Sequence, residues 1–217
     1  MPLDTIVYID GYNLYYGLLR KSDFKWLDVF QLFDEQILNR SSANVIEVRY
    51  YTAPILGSMC DDSESPQRQR QYLQALKRMY PEKVVIIEGK MIQFKPHRRP
   101  IDKSLGVDFV QVQDFEEKKT DVSIAVDMLS DACSKRCTQM VLCTNDSDQE
   151  PTLKALKQFH PDMKLGLVSP IKKHDRYPSK DLAQYVDWQK NIQEHHLSSA
   201  QLPEKIPHTS IRKPLKW

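Results

Sequence analysis

The sequence predicts an α/β fold, with a central, mostly parallel sheet and helices on both faces. Three observations predict it. Short apolar runs read as strands at 5–9, 45–52, 84–87, 140–144 and 164–168. Helical patterns alternate with them along most of the chain. The strands are short and apolar, as strands covered on both faces tend to be.

The elements follow in order. TIVYI (5–9) is a buried strand ended by Asp10-Gly11, and a helix follows from about Asn13 to Leu19. In 26–39, Leu27, Phe30, Phe33 and Ile37 recur at helical spacing. VIEVRYYT (45–52) is a second strand. A polar loop over 57–70 leads into a helix with Tyr72, Leu73, Leu76 and Met79 on its inner face, stopped by Pro81. VVII (84–87) is the third strand. Residues 89–115 break the alternation. MIQF and VDFVQV read as two arms of a β-hairpin excursion, joined by the basic segment KPHRRPIDKSLG. A helix spans about Asp121–Cys137, MVLCT (140–144) is the fourth strand, Glu150–His160 a helix and KLGLV (164–168) the fifth strand. Ser179 suits the N-cap of a short helix at 180–185. The expected division is a domain over 1–192 and a basic, proline-containing, mobile tail over 193–217.

Composition narrows the function classes. The 217 residues are enough for one core; 41% are hydrophobic and 28% charged, a soluble balance. A net charge of +2 does not announce a polyanion binder, so any anion site must come from local clustering. No apolar run approaches the roughly 20 residues of a membrane span, and Met1-Pro2-Leu3-Asp4 lacks signal-peptide character. Cys60, Cys133, Cys137 and Cys143 form no CxxC, so free buried thiols in a reducing cytoplasm are expected. P-loop, GxSxG and dinucleotide glycine fingerprints are absent from the sequence.

The chemistry lies in acids at strand ends. Parallel sheets place ligand sites beyond the carboxyl ends of their strands. Asp10 follows the first strand, Asp146 and Asp148 follow the fourth, and Asp121 opens the helix leading into the fourth. Two unit charges about 4 Å apart repel by ~1 kcal/mol in water and ~4 kcal/mol at an effective dielectric of 20. Such a cluster raises its own pKa values or recruits a cation, and oxygen ligands without His or Cys favour Mg²⁺ or Mn²⁺. A metal so held orients water and stabilises charge on a phosphodiester. Each Asp taken singly also suits a turn or N-cap. Asp127 lies about 120° around the helix from Asp121, which makes it a supporting or structural residue, and Asp131 is placed at the surface.

The segments YIDGYNLYYG (8–17), KKTDVSIAVDML (118–129) and CTNDSDQEPTLKAL (143–156) resemble the NYN family of PIN-like domains. SPIKKHDRYPSKDLAQYVD (169–187) resembles its closing strand and helix, so the resemblance covers about 5–192. It implies a PIN-like α/β/α sandwich and Mg²⁺- or Mn²⁺-dependent RNA cleavage. It carries catalytic and metal-holding roles to Asp10, Asp121, Asp146 and Asp148, and supporting roles to Asn13, Thr144 and Ser147. Three positions depart from the family pattern: Asn145 stands for a glycine, Gln149 for an aromatic, and Lys119 for a small residue.

Substrate contacts are expected from Tyr12, Arg98, Arg99, Lys118, Lys119, Lys172 and Lys173, with His97, Lys103, His174 and Arg176 in the same basic clusters. The expected partners are RNA or single-stranded DNA, and a second copy of the chain in a homodimer. The leading function is a metal-dependent ribonuclease. The alternative is a nucleic-acid-binding or scaffold domain that keeps the fold without turnover. A Mg²⁺ phosphotransferase would want a second acid at position 12, where Tyr12 stands.

Overall fold

The computed structural model describes residues 1–217 apart from Lys103, Leu105, Lys173, His174 and Arg176. The expected contacts of Lys103, Lys173, His174 and Arg176 therefore lie outside the described residues. Six parallel strands form the central sheet: β1 (Leu3–Asp10), β2 (Ala43–Thr52), β3 (Val84–Glu88), β8 (Gln139–Cys143), β9 (Lys164–Ser169) and β10 (Trp188–Asn191). Their order is β10-β9-β8-β1-β2-β3. The chain thus winds outward from β1 through β2 and β3, then returns to the other side of β1 with β8. The reversal lies between β1 and β8, where crossover connections diverge and leave a crevice.

Side-chain alternation along each strand splits the core. Val7 and Ile9 of β1 and Val141 and Cys143 of β8 face one layer. That layer holds α1 (Gly11–Leu14, continuing as π-helical turns over Tyr15–Leu19), α2 (Val29–Gln31, with π-helical turns over Leu32–Ile37) and α3 (Ser65–Met79). Ile6 and Tyr8, with Met140 and Leu142, face the other. That layer holds α4 (Thr120–Cys133), α5 (Glu150–Phe159) and α6 (Lys180–Ala183). The result is an α/β/α sandwich whose sheet is parallel throughout. No helix among the described residues is long and apolar enough to cross a membrane. All four cysteines are free; Cys137 and Cys143 are buried, whereas Cys133 is exposed.

Four expectations are corrected. The first concerns the excursion: β4 (Lys90–Phe94) pairs antiparallel with β7 (Asp114–Lys118), not with VDFVQV, whose Val110–Gln111 (β6) pairs only with His97–Arg98 (β5). The charged DFEEK run has no apolar periodicity to mark it, but its alternation leaves Phe115 and Glu117 partly buried. The second is the sixth strand, Trp188–Asn191, which is short and polar because it forms a sheet edge. The third is the helix expected to reach Cys137. It stops at Cys133, and Lys135 takes a left-handed φ of 52° just beyond.

The fourth is the tail. Residues 194–199 form α7 (Glu194–Ser199), and Leu197, Ala200, Leu202 and Ile206 are buried in the first layer's core. Trp26 Nε1 donates to the carbonyl of Pro203 at 3.0 Å. Trp217 stands edge-on to Trp26, with ring centroids 5.8 Å apart. The helical run is only six residues long and prolines follow at 203, 207 and 214, so the pattern is too short for periodicity to register.

Candidate active site

β1 ends at Asp10, whose extended backbone makes it the N-cap of α1. Its Oδ1 accepts the Asn13 N–H at 2.8 Å and its Oδ2 accepts the Thr144 hydroxyl at 2.9 Å. Gly11 is required next. A Cβ there would lie 2.5 Å from the Tyr51 carbonyl oxygen, so only glycine lets α1 start against the end of β2.

Thr144, fully buried one residue beyond β8, links the two strand ends. Its Oγ donates to Asp10 and accepts the Asp146 N–H at 3.2 Å. Asp146 in turn caps the turn after it, accepting the Asp148 N–H at 3.1 Å. One hydroxyl thus joins the Asp10 carboxylate to the backbone N–H of Asp146, across the crevice between β1 and β8.

Asp121 enters from the first turn of α4, held by Gln149, one of the residues that depart from the family pattern. Gln149 is buried; its Nε2 donates to the Asp121 carbonyl at 3.1 Å and its Oε1 accepts the Thr152 hydroxyl at 3.1 Å. An aromatic would fill that space, but the amide also ties α4 to the loop carrying Asp146 and Asp148. Asn145 is a second tie. Its backbone N–H donates to Asn13 Oδ1 at 3.0 Å, and its side chain bonds the Ser179 N–H and the Tyr177 carbonyl. Lys119 holds a left-handed φ of 83°, where glycine is the unstrained choice.

The electrostatics tie these acids together. Burial is the largest cause that pushes Asp10 up to about 6; the charges of Asp121 and Asp146 add to it, against the two hydrogen bonds. Asp121 is also raised, by desolvation first and then by Asp146 and Asp148. Glu117 is the residue sequence reasoning missed. It sits on β7, accepts the Thr120 hydroxyl at 2.6 Å, and is pushed up to about 7 by burial with help from Asp10 and Asp121. Its signal was present in TNDSD-like form nowhere; only the true β4–β7 register turns it inward.

Other expected residues fall elsewhere. Ser147 and Asp148 lie in the exposed turn after β8. Asp127 accepts the Tyr51 hydroxyl at 2.8 Å and lies 3.3 Å from Arg49, away from the crevice. Asp131, expected at the surface, is buried and bonds Tyr8, Arg49 and Arg136. Tyr12 is half-buried with its hydroxyl on the Ala53 carbonyl at 3.3 Å. Lys118 pairs with Glu116, and Lys172 is exposed. Arg98 pairs with Asp114 at 3.1 Å, and Arg99 lies over the Phe109 ring.

The donor set fits a hard divalent cation in kind. Asp10, Glu117, Asp121 and Asp146 supply carboxylate oxygens whose mutual repulsion a cation would relieve. In this arrangement, among the described residues, no three acids, histidines or cysteines stand close enough together to hold an ion.

Comparison with known proteins agrees with the fold. The profile of the NYN domain matches residues 4–187. A 6-hydroxy-3-succinoylpyridine 3-monooxygenase, HspA, of Pseudomonas putida (strain DSM 28022 / S16) is 31% identical over 237 aligned positions, covering 100% of this chain and 76% of that protein. The crystal structure of a protein of unknown function from Vibrio parahaemolyticus RIMD 2210633 superposes with a TM-score of 0.55 at 18% identity, covering 89% of this chain and 94% of that one.

Proposed function

This chain belongs to the NYN domain family, and from that premise we propose that its carboxylate crevice cleaves phosphodiester bonds of RNA with a divalent cation. The observation that carries the reading is the hydrogen-bonded frame in which Thr144 ties Asp10 to the Asp146 loop and Gln149 ties that loop to Asp121, at the point where the sheet order reverses. Asp10, Asp121 and Asp146 would hold Mg²⁺ or Mn²⁺, with Asp148 at the rim. A cation there supplies charge neutralisation and a more acidic water. The chain's own residues do the rest. Asn13 and Thr144 fix the Asp10 carboxylate, so that its orientation costs nothing at the moment of reaction. Gln149 and Asn145 hold Asp121 and Asp146 at the mouth. Hydrolysis adds water oxygen to phosphorus and breaks the bond to the leaving oxygen. The proton lost by water goes to a carboxylate, and the leaving oxygen takes one back.

The test is incubation of pure protein with labelled RNA and single-stranded DNA, in Mn²⁺, Mg²⁺ or chelator. Cation-dependent RNA cleavage is expected; no cleavage of either polymer with any cation would sink the reading.

Grip on the polymer is assigned to the β-ribbon. His97 lies seven residues beyond Lys90, where β4 begins, so an extended run of that length carries it roughly 20 Å out along the excursion. Arg98→Ala with Arg99→Ala should weaken RNA binding and flatten its log–log salt dependence by about one to two units. Affinity measured at several salt concentrations checks this. An unchanged slope would move the grip to Lys118, Lys119 and the 172–176 segment.

A second reading is favoured by the relative from Pseudomonas putida, whose name describes a monooxygenase of a hydroxylated succinoylpyridine and whose similarity runs the length of this chain, beyond the NYN match. Monooxygenation places one atom of O₂ in the substrate and reduces the other to water, so it needs a two-electron reductant. Oxygen-dependent oxidation of a reduced nicotinamide by the protein with a hydroxypyridine would favour this reading over RNA cleavage.

A further inference from the structure

A cavity of about 390 Å³ opens on the α1 and α3 side of the sheet, separate from the carboxylate crevice. Its walls come from α1, the end of β2, the 55–65 loop, the start of α3 and Trp217. Five of the chain's ten tyrosines line it: Tyr12, Tyr15, Tyr16, Tyr50 and Tyr72. Tyr50 and Tyr72 are buried and form its floor, the Tyr72 hydroxyl donating to the Leu27 carbonyl at 2.8 Å, whereas Tyr12 is half-buried and Tyr15 and Tyr16 are exposed at its rim. Tyr12 and Tyr16 stand 5.9 Å apart at 32°, and Tyr72 and Trp217 stand 5.7 Å apart at 46°.

Two donors in this wall lack acceptors among the described residues. They are Arg68 Nη1 and Trp217 Nε1, both buried. Arg68 Nη2 is satisfied by Asp62 and Ser65, at 2.9 Å each, while Nη1 has only the exposed Glu64 carboxylate at 3.5 Å. Among the described residues three buried side-chain atoms lack a partner; these are two of them, and the third, Ser169 Oγ, is on β9. Orphaned donors are rare in folded proteins and call for an explanation such as an absent acceptor. The lining charges lean the same way: Arg20, Lys25 and Arg68 stand against Asp61 and Asp62.

We propose that this cavity binds a planar heteroaromatic ring bearing an anionic group, the ring between the tyrosines and the anion toward Arg68 and Trp217. The volume suits one such ligand. Tyr12 and Tyr50 form the partition, since Tyr50 feels the charges of Asp10 and Glu117, and Tyr12 that of Glu117. The bound ring therefore lies one side-chain layer from the carboxylates. This ligand chemistry has two sources, a nucleotide or a free heteroaromatic acid.

The test is titration of the full chain, in chelator so that no cation-dependent cleavage intervenes. The probes are adenosine and uridine 5′-monophosphates in one arm and nicotinate in the other, read by tryptophan fluorescence and by calorimetry. Saturable binding with a dissociation constant on the order of 1 mM or tighter is expected in at least one arm. Arg68→Met, which keeps the apolar stem, should weaken it about tenfold, and Trp217→Phe, which keeps a ring and removes the donor, by a few-fold. Binding in the nucleotide arm alone identifies a base with its phosphate; binding of nicotinate identifies a free aromatic acid. No saturation by any probe up to about 10 mM, or equal affinity in both variants at unchanged melting temperature, overturns the proposal. Either result leaves the RNA-cleavage assay unaffected, so the two readings fail separately.

Discussion

Asp10→Asn is expected to lower cation-dependent RNA cleavage by about 100-fold or more while raising the melting temperature of the cation-free protein at neutral pH. The two effects have one origin. Asp10 is held near 6 in the folded protein against an ordinary value of 3.8. A folded-state value raised above the unfolded one means that the folded protein binds the proton more tightly. The contribution of Asp10 to stability is therefore greatest below about pH 4 and declines as pH rises through 6. Above that, the ionised carboxylate costs on the order of 3 kcal/mol. Asparagine is neutral throughout and keeps an oxygen for the Asn13 N–H, and Thr144 can accept from its amide. For a chain of this size the gain is a rise of roughly 5–10 °C at pH 7.5 in chelator, falling to about half of that at pH 5 and toward zero below about pH 4. Added Mn²⁺ should invert the order, stabilising the wild-type protein and not the variant. Melting curves at both pH values, with chelator and with Mn²⁺, check this beside the cleavage rate. A fully active variant would remove Asp10 from the chemistry, and a lower melting temperature in chelator would make it a structural cap.

Much of this site was legible because chemistry and position coincide there. Asp10, Asp146 and Asp148 follow apolar strands, so the rule that ligands gather at strand ends places them without any knowledge of register. The sheet was legible for the same reason: buried parallel strands are apolar runs, and five of the six read as such. What escaped lacks that signature. Trp188–Asn191 is a polar edge strand. Glu117 becomes an inward-facing acid only through the pairing of Met91 with Glu117, a register that one position of slippage would reverse. Gln149 and Asn145 look like losses against a family pattern, yet both have become hydrogen-bonded ties across the crevice. Asp131 escaped because helical geometry gives direction around an axis and not what lies opposite; Arg49 on β2 is what draws it in.

That buried aspartate carries the largest stability prediction. Asp131 is 4% exposed and accepts from Tyr8 Oη at 2.7 Å, from Arg49 Nη2 at 3.2 Å and from Arg136 Nη1 at 3.1 Å. It joins β1, β2 and the C-terminal half of α4, the helix whose first turn carries Asp121. Asp131→Ala leaves the Tyr8 hydroxyl buried without an acceptor and removes one counter-charge from Arg49, itself 9% exposed. Breaking a buried pair in this way costs about 3–5 kcal/mol. Glu47 and Asp127 still face Arg49, at 2.5 and 3.3 Å, which puts the expected loss near the lower figure. A fall in melting temperature of roughly 6–12 °C follows. Tyr8→Phe separates the parts, since it removes the hydroxyl and leaves both arginines paired, for a loss of about 1 kcal/mol. Combining it with Asp131→Ala should cost less than the sum, because the orphaned hydroxyl is then gone. Cleavage below the transition should fall only modestly in either variant, because neither residue faces the crevice. Urea unfolding of the two single variants and the double measures the coupling. A loss below about 1 kcal/mol for Asp131→Ala would return Asp131 to the surface role its place in the sequence suggested.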